Sequence, residues 1–147
     1  MQSKILKANA LHKSGYNCAQ SVVAAFEDEL NIDKNLALHM SVGFGGGMGR
    51  MQEKCGAVTG AFMVLGIYNG KKFTDNVSLK NETYSMVQRF DQKFTAIHKS
   101  TNCMELLKWD IKTAEGFQSA RDNGLFESVC DKCIADAIRI VDELINE

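Results

Sequence analysis

The 147 residues contain no proline, and apolar side chains recur three and four apart along most of the chain instead of alternating. Proline is the residue that most reliably ends or kinks a helix, and alternation is the mark of a half-buried strand. The pattern therefore predicts an all-α fold of about eight helical segments in one domain, residues 1–147, with no composition shift or low-complexity tract to divide it.

The clearest segment is the last. From about Glu127 to Ile145, the residues Cys130, Ile134, Ala137, Ile138, Val141 and Ile145 form one apolar stripe. A long helix is expected after Thr74 as N-cap, burying Leu79, Thr83, Val87, Phe90, Phe94 and Ile97 and ending near Ser100. Asn17 can cap a helix with Cys18, Val22, Ala25, Phe26 and Leu30 inward, flanked by segments starting at Ser3 and Asp33. Asn102 and Thr113 can start two more, the second closed by Asn123-Gly124. Residues 52–68 are apolar nearly all round and make the expected buried central helix. Gly56 and Gly60 each cost about 1 kcal/mol there relative to alanine, which points to a close approach by another backbone or a bound group.

Seventeen basic against eighteen acidic residues leave no global field to attract nucleic acid. No apolar run reaches the roughly 20 residues a membrane helix needs. The first dozen residues are too charged for a secretory signal, so a cytoplasmic protein is expected. A reducing compartment and an odd number of cysteines, five, argue against a disulfide framework. A chain this long does not need one, since it can bury roughly 68–70% of its unfolded surface. A symmetric dimer is compatible with a helical chain of this size.

Cys18, Cys55, Cys103 and Cys130 fall at or near the starts of the second, fourth, sixth and eighth predicted segments. First-turn N–H groups and the helix dipole stabilise a thiolate, which is both the nucleophile and the metal ligand. In an up-down bundle these four helix starts share one end. Any one cysteine alone reads as core filling; four at helix starts read as one redox or metal site. Cys130-Asp131-Lys132-Cys133 is the only CxxC and offers a redox pair, Cys130 and Cys133. There is no zinc-ribbon or ferredoxin cysteine spacing.

Gly43-Phe44-Gly45-Gly46-Gly47-Met48-Gly49-Arg50 fits neither the dinucleotide fingerprint nor the P-loop. It reads either as backbone closing over the site beside Cys55 or as a flexible turn between helices. The histidines His12, His39 and His98 show no metal-binding pairing and are assigned no role.

Together these elements resemble a bacterial and archaeal family of redox-active proteins named for its cysteine pattern. Gly15-Tyr-Asn-Cys-Ala-Gln is similar to its first cysteine element, Gly43 to Arg50 to its glycine-rich segment, and Cys55-Gly-Ala-Val-Thr-Gly60 to its central signature. Cys103 and Cys130 fall where its later two cysteines stand. Nearly the whole chain is covered. This sequence departs from the pattern in lacking a proline after its last matched cysteine and in adding Cys133, which leaves open whether Cys130 or Cys133 is the ligand.

The resemblance implies a redox role without naming a reaction. A similar domain in an iron-sulfur cytochrome implies, by analogy, an iron-sulfur cluster. The leading expectation is an electron-transfer protein for a redox partner, with Cys18, Cys55, Cys103 and Cys130 as ligands and Gly45, Gly46, Gly47 and Gly56 lining the site behind them. Two alternatives stand beside it. One is a thiol-disulfide protein or sensor using Cys130 and Cys133; the other is a helical module held by structural zinc or buried thiols without enzymatic role.

Overall fold

The computed structural model describes residues 1–147 as a wholly helical chain with no strands. Eight right-handed α-helices follow in order: α1 Gln2–Lys13, α2 Cys18–Ala25, α3 Lys34–Ser41, α4 Gly56–Lys72, α5 Asn76–His98, α6 Cys103–Leu107, α7 Ala114–Asp122 and α8 Asp131–Ile145. A 3-10 turn over Val42–Phe44 follows α3, and a π-helical turn over Phe126–Cys130 runs directly into α8.

The starts of these helices are set by local chemistry. Asn17 accepts a hydrogen bond from the Gln20 N–H while the Gln20 side chain bonds back to the Asn17 N–H, a reciprocal box that closes two free donors of α2. Asp33, Asn102 and Thr113 cap α3, α6 and α7 through the side-chain acceptor alone, taking the N–H groups of Leu36, Glu105 and Gly116. For α5 the cap is Asp75, one residue beyond the expected Thr74. Gly124 adopts φ +67° after α7, the left-handed conformation expected of it.

The core gathers around α4, which packs against α2, α5 and α8. Val22, Phe26, Val58, Val64, Leu65, Phe90, Phe94, Ile134, Ile138 and Val141 are fully buried there. The central helix runs from Gly56 to Lys72, four residues later than 52–68, because Gln52 takes φ +56° and Lys54 pairs with Asn102 in an isolated bridge before the helix can begin. Ile97, expected inside, is exposed; beyond Phe94 the buried face of α5 passes to His98, whose ring tilts against Phe94.

Gly56 and Gly60 let α4 cross α2 at backbone contact. A Cβ at Gly60 would stand 2.9 Å from the Ala19 carbonyl, and one at Gly56 3.2 Å from the Ala19 nitrogen and the Cys18 Cβ. The crossing brings the start of α2 against the start of α4, and with it Cys18 toward Cys55. No helix is long and apolar enough to cross a membrane.

Candidate functional site

All five cysteines line one cavity of about 1090 Å³ at the end of the bundle where α2, α4, α6 and α8 begin. Cys18 is the first residue of α2, Cys55 the N-cap of α4 and Cys103 the first residue of α6. Cys130 differs from the expectation. The π-helical turn precedes it and its φ and ψ are helical, so it lies inside a continuous helix instead of at a free N-terminus. Cys133, one turn on, is buried against the core.

None of the five is in a disulfide. Interaction with Cys130, then burial, raises the Cys18 thiol well above its ordinary value. Interaction with the Cys133 thiol lowers Cys55 against the effect of burial, helped by the first-turn N–H groups of Ala57 and Val58 and by the Lys54 charge. The same interaction, with burial, holds the Cys133 proton in place. Burial pushes the Cys103 thiol up to about 12, reinforced by the charges of Cys55 and Cys18. A free helix start thus lowers one thiol, as the dipole argument predicts, and burial dominates at Cys18, Cys103 and Cys133.

The glycine segment is not a loose turn. Five consecutive residues, Gly46, Gly47, Met48, Gly49 and Arg50, have φ between +60° and +69°, winding one left-handed turn. Left-handed backbone costs a non-glycine residue roughly 1–2 kcal/mol, so Met48, Arg50 and Gln52 must be held there by their surroundings. The holding bonds are visible: the N–H groups of Gln52 and Glu53 donate to the carbonyls of Gly46 and Gly47, and the Cys103 N–H donates to the Glu53 carbonyl. The Cys55 N–H in turn donates to the Thr101 carbonyl, so one hydrogen-bonded ladder joins the glycine turn to both cysteines. A Cβ on Gly47 would stand 2.6 Å from the Cys103 Cβ and 2.7 Å from the Gln52 Cα. Gly45 is similarly filled by the Asn17 side chain.

Two site residues carried no recognisable signal in the sequence. The His12 ring bridges two elements: its Nε2 lies 4.0 Å from Cys18 Sγ and its Nδ1 2.8 Å from Asp131 Oδ1. Burial disfavours the imidazolium, but the Cys18 and Asp131 interactions outweigh it and raise the pKa from 6.5 to about 9. Asp131 is 119 positions away, beyond any sequence periodicity. Gln52, also buried, donates through Nε2 to the Trp109 carbonyl and accepts from the Ile111 N–H, anchoring the segment after α6.

The donor set is thiol-rich and suits soft metals or iron-sulfur clusters. No three His, Cys, Asp or Glu side chains stand close enough together to hold one metal ion. A single tetrahedral zinc requires its sulfurs about 2.3 Å from one point; here the thiols are spread around a cavity. Asn9, on the same wall, has a buried amide oxygen without a partner. The donors that a soft metal group would use are these thiols, with the glycine turn fitted against Cys103.

Comparison with known proteins points the same way as the cysteine pattern. The family model described as "Putative redox-active protein (C_GCAxxG_C_C)" matches residues 16–144. An "Uncharacterized protein" of Archaeoglobus fulgidus is 30% identical over 97 residues, which cover 61% of this chain and 64% of that relative's length. No solved structure matches the chain.

Proposed function

Since the chain belongs to the C_GCAxxG_C_C redox-active family, we propose that it is an electron-transfer protein whose Cys18, Cys55, Cys103 and Cys130 hold an iron-sulfur cluster. The observation that carries this reading is that cysteines far apart in sequence line a single cavity. Thiolates are the usual ligands of iron-sulfur clusters, and four of them match the usual ligand count. When bound, the cluster would supply one-electron chemistry.

The chain's own residues set its surroundings. The first-turn N–H groups of Ala57 and Val58 and the Cys133 thiol favour negative charge on Cys55. His12, oriented by Asp131, presents Nε2 to Cys18. The glycine turn lets backbone close on Cys103 where a side chain would not fit. Hydrogen bonds to sulfur and limited solvent access are the usual means of tuning a cluster's potential.

A second reading rests on the pairing of the thiols. If the protein works without metal, the CxxC pair Cys130 and Cys133 is one candidate, and the interactions of Cys18 with Cys130 and of Cys55 with Cys133 offer two others. Each pair would lose two protons and two electrons to an oxidised partner protein as its disulfide forms.

Anaerobic purification followed by an absorption spectrum and iron and sulfide analysis separates the two readings. The cluster reading expects brown protein whose iron and sulfide fall in each of C18S, C55S, C103S and C130S. Colourless, metal-free protein with an oxidant-sensitive thiol pair would overturn it and leave the disulfide reading.

A further inference from the structure

Three cations line the cysteine cavity without a counter-ion. Lys13, Arg50 and Arg121 have no carboxylate within 4.0 Å, although both other arginines of the chain, Arg89 and Arg139, are paired. Arg50 and Arg121 approach the same ring: their guanidinium carbons lie 3.7 and 5.0 Å from the Phe117 centroid. Stacking on an aromatic face orients a guanidinium while leaving its in-plane N–H donors free.

Arg50 is held there at a cost. It ends the left-handed turn at φ +63°, where a non-glycine side chain is strained, and strained backbone of this kind collects where a side chain must be aimed. The carboxylates on the cavity wall do not cancel these cations. Asp131 is bonded to His12, and Glu127 makes no ion pair within 4.0 Å with Lys13, Arg50 or Arg121.

A volume of about 1090 Å³ is just above the usual range, roughly 300–1,000 Å³, for pockets that enclose a whole small ligand. We infer that the cavity binds a small oxyanion, a carboxylate or phosphate-like group, through the guanidinium groups of Arg50 and Arg121 held at Phe117. The planar fork of each arginine matches the two oxygens of such a group. This inference stands on the cavity and the arginines and does not require the cluster.

The test is calorimetric titration of the intact protein with inorganic phosphate and, separately, with succinate, at ionic strength fixed with chloride. Saturable binding at or below millimolar concentration is expected for at least one of them. It should weaken at least tenfold in R121Q, which lies on the exposed face of α7 and leaves the fold intact, and likewise in R50Q. R139Q, on α8 and away from the cavity, should bind as the parent does. Absence of saturable binding up to 20-fold above that range, or binding unchanged in R121Q, would overturn the inference. Loss of metal in the cysteine variants with anion binding retained would separate this site from the cluster reading.

Discussion

Three glycine-to-alanine substitutions in one segment test whether the glycine turn is a packed cradle. Gly43 has ordinary backbone and no atom within 4 Å of where a Cβ would stand; Gly49 has φ +60° with only the Gly43 carbonyl at 4.0 Å; Gly47 has φ +68° and three atoms within 2.7 Å, two of them backbone. Gly43→Ala should be neutral or stabilise by about 0.4–1 kcal/mol through the unfolded chain's lost freedom. Gly49→Ala should cost about 1–2 kcal/mol from the left-handed backbone alone. Gly47→Ala adds overpacking of about 1–3 kcal/mol, because the Gln52 and Glu53 backbone cannot swing aside. The sum is about 2–5 kcal/mol, or a melting temperature lower by about 4–20 °C at roughly 2–4 °C per kcal/mol for a chain of this size. Urea and thermal denaturation of metal-free protein, followed by far-UV circular dichroism, read the series directly. Equal losses in Gly47→Ala and Gly49→Ala would mean that Gly47 answers only to its φ angle and that the cradle is not tightly packed against Cys103.

Other expectations follow from the same geometry. Because the folded pKa of His12 is raised to about 9 from 6.5, its contribution to stability is complete below pH 6.5 and lost as the pH rises through 9. His12→Gln should therefore destabilise metal-free protein by about 1–2 kcal/mol at pH 6, with parent and variant converging above pH 9; a gap independent of pH would refute the charged bridge to Asp131. Asn17→Ala removes both the α2 cap and the bond from Nδ2 to the Val42 carbonyl, at a cost of about 1–2 kcal/mol. Since the Asn17 side chain occupies the space of a Gly45 Cβ, Gly45→Ala should cost less in the Asn17→Ala background than alone, and strict additivity in a double-mutant cycle would contradict that contact. Gly60→Ala should destabilise by about 1–3 kcal/mol in equilibrium denaturation, because the new methyl meets the Ala19 carbonyl across the α2–α4 crossing; an unchanged midpoint would mean the helices separate without cost.

The helical class, the number and order of segments and most of their caps were legible in the sequence, because they depend on contacts within four residues. Asn17, Asp33, Asn102 and Thr113 act within one turn of themselves, and the 3.6-residue period that exposes an apolar stripe is equally local. The cysteines' positions near helix starts were readable for the same reason, with Cys130 displaced because a π-helical turn is not marked by any cap residue. Which thiol interacts with which, the His12–Asp131 bridge, the left-handed turn pressed on Cys103 and the two arginines over Phe117 were decided only by tertiary structure. Small residues at the α2–α4 crossing fix how closely the helices approach, and that distance, which no local pattern encodes, determines what meets across the cavity.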